Sequence, residues 1–248
     1  MLASFHWWRT VFFLIPTIGV YTAVLGSLSV GSVLLGGKGR FAHGCARLWS
    51  WLILATTGVE VSVKGLERVP RDRPYVFLSN HQSFYDIPVL FWYLPFDLRI
   101  IAKESLGSFP FIGWHLARTG HVLVDRSNPG PSAFRQVSEL MKARRSLVVF
   151  PEGTRSADGQ VGTFRAGIFR MAIESKLLIV PVAVRGSRRV MRKNELTTRP
   201  GRVSVEVFDP IATDSLTQAD AKALANRVRT VVAAAVAGDE DAAPGPTA

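Results

Sequence analysis

The stretch "YVFLSNHQSFYDIPVLFWYL", Tyr75 to Leu94, decides the fold. It begins with a short apolar run, Tyr75 to Leu78, breaks into polar residues at Ser79, and resumes as a longer apolar run from Ile87. A short run followed by a turn and a longer run reads as strand, loop and helix. The spacing of His81 and Asp86 supports the break. On one continuous helix, five residues at about 100° each would set the two side chains roughly 140° apart, too divergent for a direct hydrogen bond. If His81 leaves a strand end and Asp86 sits in the first turn of the next helix, the chain folds them together. The same residues also fit a capping box, S-x-x-D from Ser83 to Asp86, in which hydroxyl and carboxylate satisfy free amides of the first helical turn. Spacing alone leaves both roles open.

The pattern repeats outward from this stretch. Strands are expected at Val59–Val63, Tyr75–Leu78, Leu98–Ala102, His121–Val124, Ser146–Phe150, Leu178–Val184 and Val203–Val207. Helices are expected near Ser83–Tyr93, Phe111–Ala117, Pro131–Ala143, Phe164–Ser175 and Gln218–Val236. Short β-branched runs alternating with helical stretches signal an α/β domain, and strands this apolar are covered on both faces. The expected fold is a mixed, mainly parallel sheet with helices on both faces, over residues 59–237. A hydrophobic anchor of one or two helices, residues 1–58, precedes it. The final residues 238–248, "GDEDAAPGPTA", are acidic and rich in Pro, Gly and Ala, the composition of a disordered tail.

Composition narrows the setting. The chain has 248 residues, 48% hydrophobic, with a net charge of +11, so it attracts anions: nucleic acid, phosphorylated metabolites or acidic lipid. Cys45 is the single cysteine, which excludes an intramolecular disulfide and a thiolate zinc site and fits a reducing cytosolic face. From Thr10 to Gly37 no residue is charged, enough for a bilayer-spanning helix, and a second apolar run covers Leu48 to Val59. Trp7, Trp8, Trp49 and Trp51 suit the headgroup zone. Pro16, Gly19, Gly26 and Gly31 interrupt the first segment, so a half-buried helical hairpin fits as well as a span. A secretory signal fits poorly, because the apolar region is too long and lacks a cleavage site. Arg9 on one side and Lys38, Arg40 and Arg47 on the other leave the bulk of the chain on the cytoplasmic side of the cell membrane under the positive-inside rule.

A second constellation, "FPEGTRS" from Phe150 to Ser156, follows the apolar strand "SLVVF". Loops at the carboxyl ends of strands in open α/β sheets are the usual place for ligands. Gly153 allows close backbone approach, Thr154 and Ser156 offer hydroxyls, and Arg155 presents a fork suited to phosphate. Arg126 after "HVLVD" and Lys103 after "RIIA" end two further strands, so the three cations would converge on one anion if those strand ends share an edge; each alone reads as a solvated surface residue.

Four blocks, "NHQSFYD", "KESLGSFPFIG" with "GHVLVDR", "FPEGTRS" and "LIVPVAV", resemble those of the glycerolipid acyltransferase family, in particular the bacterial 1-acyl-glycerol-3-phosphate acyltransferases, over about Lys64 to Ser187. The resemblance implies acyl transfer from acyl-CoA or acyl-carrier protein to the 2-hydroxyl of lysophosphatidic acid at a membrane, without metal or prosthetic group. It implies that His81 is the general base and Asp86 its partner. Glu152 and Gly153 would lie on the glycerol side, with Arg155, Arg126 and Lys103 toward the phosphate and Thr154 a further substrate-binding residue of the block. Arg188, Arg189, Arg192 and Lys193 are candidates for contact with anionic membrane lipid.

Other classes fit less well. A serine hydrolase using Ser83 would lack a G-x-S-x-G elbow, and Cys45 falls within the anchor. No nucleic-acid-binding module or aromatic platform is present, so nucleic acid is not an expected partner. Two readings stand beside the main one: an acyltransferase for another lysolipid, and a non-catalytic lipid-binding protein, which would keep the basic site but have no need of His81 beside Asp86.

Overall fold

Strand alternation determines which side of the sheet each residue faces. In strand β2 (Val76–Ser79), Val76 and Leu78 join one apolar cluster while Phe77 joins the other, so the strand is covered on both sides. The structure is a computed structural model that describes residues 4–37, 39–124 and 131–238. The other strands are β1 (Val59–Lys64), β3 (Leu98–Lys103), β4 (Val122–Val124), β5 (Ser146–Val149), β6 (Ile179–Arg185) and β7 (Gly201–Val207). They form one sheet in the order β1-β7-β6-β2-β5-β3-β4. All neighbours are parallel except β6 and β7, so β1 and β7 run against the other five. This is the expected mixed, mainly parallel sheet.

Strands β2 and β5 are central, wholly buried and adjacent, with Val76 opposite Leu147 and Leu78 opposite Val149. Their carboxyl ends therefore open side by side, which brings "NHQSFYD" against "FPEGTRS" across some seventy residues of sequence. Helices α5 (Pro131–Lys142), α6 (Ala166–Glu174) and α7 (Ala221–Ala237) cover one face. Helix α3 (Asp86–Tyr93) and an N-terminal helical pair cover the other, with α4 (Ile112–Arg118) at the β3–β4 edge.

The pair consists of α1 (Phe5–Leu34), which contains a π-helical turn at Thr10–Leu14, and α2 (Arg40–Thr57). Helix α1 is long and apolar enough to cross a membrane, and little of its apolar stretch is buried in the domain. Hydroxyls join the two helices: Trp49 Nε1 donates to Thr22 Oγ1 at 2.9 Å, and Tyr21 and Thr56 pair at 3.1 Å. Gly26 permits close approach to α4, since a Cβ there would lie 3.0 Å from the Cβ of Phe111. Both ends of α1 touch the α/β domain. Thr10 Oγ1 accepts from Thr198 N at 2.9 Å, and Ser29 Oγ pairs with His115 Nδ1 at 2.6 Å. Those positions are about 28 Å apart along a helix rising 1.5 Å per residue, so α1 lies along the domain. Lys38, Arg126 and residues 239–248 of the expected tail lie outside the described residues.

Candidate active site

The chain leaves β2 through a side chain that imitates a strand. The buried Asn80 amide donates to Val184 O and accepts from Val184 N, both at 2.8 Å, which continues the pairing with β6 for one more residue. His81 then turns out of the sheet. Residues Ser83 to Tyr85 form a turn, and α3 begins at Asp86 rather than at the expected Ser83.

Asp86 is fully buried, and one oxygen collects three donors. Oδ2 accepts from His81 Nδ1 at 2.8 Å, Gln82 N at 2.7 Å and Ser83 N at 2.9 Å. The capping and dyad readings thus describe the same oxygen: the carboxylate fixes the turn and the imidazole together. An ionised carboxylate can only accept, so Nδ1 carries its proton and Nε2 keeps the basic lone pair. The imidazole also stacks on Phe150, with centroids 4.0 Å apart and planes at 16°.

The second loop is tied to the first by Glu152. Its Oε1 accepts from His81 N at 2.8 Å and its Oε2 from Gly162 N at 2.9 Å. Burial raises the Glu152 pKa, while the two amides and the nearby imidazole oppose that shift. Ser156 N donates to His81 O at 2.7 Å, and Gln82 Nε2 to Gly159 O at 2.6 Å. Expected on the substrate side, Glu152 has both carboxylate oxygens engaged by backbone amides and braces the loop that carries His81. Gly153 adopts φ +74°, and a Cβ there would lie 3.0 Å from the Arg165 guanidinium, so glycine serves both the turn and the close approach.

Two compartments meet at this turn. An apolar cavity of about 450 Å³ runs beneath α1, α2 and α3, from Phe84 and Tyr85 toward His115 and His121 at the β3–β4 edge. On the other side a polar groove of about 680 Å³ is lined by Glu152, Thr154, Arg155, Ser156, Arg165 and Lys193, among others. Of the three cations expected to converge, only Arg155 stands in the groove. Lys103 is exposed and does not line it, although β3 lies directly beside β5; Arg126 lies outside the described residues. Arg165 and Lys193 line the groove as well, and neither was expected there from the sequence. Asn80 and Phe150 were missed as well, although each adjoins a motif residue in the chain. No group of three or more His, Cys, Asp or Glu side chains among the described residues could hold a metal ion.

A family model described as Acyltransferase matches residues 60–185, which include the whole of both loops. The chain belongs to the acyltransferase family. It is 32% identical over 178 residues to the 1-acyl-sn-glycerol-3-phosphate acyltransferase of Cocos nucifera, covering 70% of this chain and 56% of that protein. Its likeness to the Saccharomyces cerevisiae enzyme of the same name is 32% over 189 residues, 74% of this chain and 62% of that one. The chain thus spans about half to three-fifths of the length of the curated relatives it matches. The fold resembles the crystal structure of PlsC, the 1-acyl-sn-glycerophosphate acyltransferase of Thermotoga maritima, with a TM-score of 0.74 at 24% identity over 93% of this chain and 97% of that one.

Proposed function

We propose that the chain transfers a fatty acyl group from acyl-CoA or acyl-carrier protein to the 2-hydroxyl of 1-acyl-glycerol 3-phosphate, giving phosphatidic acid at a membrane surface. The observation that carries this reading is the position of the His81–Asp86 pair, on a braced turn between an apolar cavity and a cation-lined groove. A lysophosphatidic acid has the matching polarity, with an apolar chain, a hydroxyl and a phosphate in that order. The names of the relatives support the same acceptor.

Nε2 of His81 removes the hydroxyl proton as the oxygen attacks the thioester carbonyl, and Asp86 stabilises the imidazolium that forms. Collapse of the tetrahedral intermediate breaks the carbon–sulfur bond, and the thiolate takes the proton back from His81. The chain's own groups suffice for this sequence, without a metal or prosthetic group. General base catalysis supplies about a hundred- to ten-thousandfold, and positioning must supply the rest. Arg155 in the groove is the phosphate ligand on this reading, with Gly153 and Thr154 beside the glycerol.

The N-terminal pair supports a site at the bilayer surface. Helix α1 touches the domain at both ends while Phe12, Phe13, Val20, Val24 and Leu28 remain exposed, so the pair is read as a half-immersed hairpin. The domain then faces the cytoplasmic side of the cell membrane, where the basic surface meets anionic lipid.

The test is thiol release and phosphatidic acid formation by purified, detergent-solubilised protein given oleoyl-CoA and lysophosphatidic acid, beside His81→Ala. Release that requires the acceptor and disappears in the variant is expected. Release without an acceptor would mean a hydrolase, and lipid binding without transfer from either donor class would mean a non-catalytic protein.

A further inference from the structure

Phe84 lies between His81 and Asp86 in the chain, yet its ring is 52% exposed. It lines the apolar cavity, while Arg155 lines the polar groove, and the guanidinium carbon sits 3.8 Å from the Phe84 ring centroid. We propose that Phe84 is a positioning residue that holds the Arg155 guanidinium for the phosphate monoester of the acceptor, its ring marking the boundary between acyl cavity and headgroup groove. The inference rests on the acyl-transfer reading and names a determinant of acceptor binding within it.

Three observations carry it. The short distance puts the cation over the ring face, where the ring quadrupole attracts it. A guanidinium held over a ring face by its carbon does not spend its N–H donors on the ring, so they remain for a phosphate. Nη1 of Arg155 is buried without a hydrogen-bond partner among the described residues, a donor ready for an acceptor oxygen. Burial lowers the Arg155 pKa and the Asp86 charge opposes that shift, which sets the guanidinium within electrostatic reach of the dyad.

The turn adds a positional argument. Asp86 Oδ2 holds Ser83 N, the residue before Phe84, and also His81 Nδ1. One carboxylate thus fixes both the base and the ring that carries the phosphate cation, and with them the spacing from base to phosphate. A long arginine side chain loses rotamer freedom when it binds a ligand, and a ring that already orders it removes that loss from the binding step.

The experiment measures initial rates for wild type, Phe84→Leu, Phe84→Tyr, Arg155→Ala and the Phe84→Leu/Arg155→Ala double variant. Lysophosphatidic acid is varied at saturating oleoyl-CoA, and then the reverse. Phe84→Leu keeps an apolar side chain but removes the ring. It is expected to raise the acceptor KM about three- to thirtyfold, the range of a cation–π contact between exposed and desolvated settings. The donor KM should stay near wild type, Phe84→Tyr should restore the acceptor KM, and Phe84→Leu should add little to Arg155→Ala because the two act as a unit. An unchanged acceptor KM in a folded Phe84→Leu protein, a matching rise in the donor KM, or full additivity with Arg155→Ala would overturn the proposal. Calorimetric binding of lysophosphatidic acid in detergent by the same variants separates the two readings. If wild type binds but does not transfer, the transfer reading fails, while loss of binding in Phe84→Leu to the level of Arg155→Ala still supports the positioning role and its absence refutes it.

Discussion

Asp86→Asn distinguishes a catalytic carboxylate from a capping one. All three donors converge on Oδ2, so the asparagine carbonyl can take that place and keep the contacts to Gln82 N, Ser83 N and His81 Nδ1. The amide nitrogen then falls where Oδ1 is buried without a partner among the described residues. An unsatisfied buried donor costs about 1–3 kcal/mol, and a neutral acceptor is weaker than a charged one, so the total loss of stability is roughly 2–5 kcal/mol. The imidazole keeps its tautomer but loses the charge that stabilises its protonated form, and kcat should fall by about a hundredfold or more. The assay pairs a thermal melt with kcat per folded molecule at saturating lysophosphatidic acid and oleoyl-CoA. A carboxylate that only fixed the turn would show the same loss of stability and no loss of turnover. A folded Asp86→Asn protein with wild-type kcat would therefore refute the dyad.

Two further outcomes follow from the same contacts. Glu152→Gln leaves one acceptor oxygen for two backbone amides, so either His81 N or Gly162 N faces an amide donor; a loss of about 1–3 kcal/mol in thermal melts and a lower kcat are expected. Burial holds the His115 pKa at about 4, below the ordinary 6.5, so the folded chain binds that proton less readily than the unfolded one. Its contribution is complete above pH 6.5 and is lost as pH falls toward 4, by about 3 kcal/mol at the lower limit. His121, also pushed down by burial, acts in the same direction. Melting temperatures measured across that range should fall for wild type and fall less for His115→Asn, which keeps an acceptor for Ser29.

The sheet was legible because its strands are short and nearly continuous in apolar residues, so each of the seven is found within a residue or two of its expected position. Strand order and the reversed pair β1–β7 were not, since the partners are set by packing between distant segments. The same limit governs the site. For His81 and Asp86, spacing permitted contact across a turn but left the capping role open, and it was the resemblance of the four blocks to the acyltransferases that joined them as a dyad. Glu152 was placed beside the glycerol by the family resemblance, and it does line the groove, but the two backbone amides that its carboxylate meets are displayed by no sequence pattern. Lys103 carried the right charge at a strand end, and sheet order does set β3 beside β5, but its exposed side chain does not line the groove, which depends on side-chain direction and not on strand order.

The two loops behave as one unit because their links run through backbone as well as side chains. His81 offers its N–H to Glu152 and its carbonyl to Ser156, Gln82 donates to Gly159, and the His81 ring stacks on Phe150. Each link alone contributes little, and a backbone amide paired in this way is ordinary for a buried loop. Together they leave His81 little freedom to move without Glu152. On the proposed reaction, a base that meets one hydroxyl of a flexible lipid would gain from such rigidity, because effective molarity depends on the reacting atoms being held near attack distance. Arg155 belongs to the second loop and His81 to the first, so on the proposed reaction the same links would fix the distance between phosphate and base. Substitutions in "FPEGTRS" that spare the phosphate cation should therefore act on kcat as much as on acceptor KM, whereas a phosphate contact alone would act on KM.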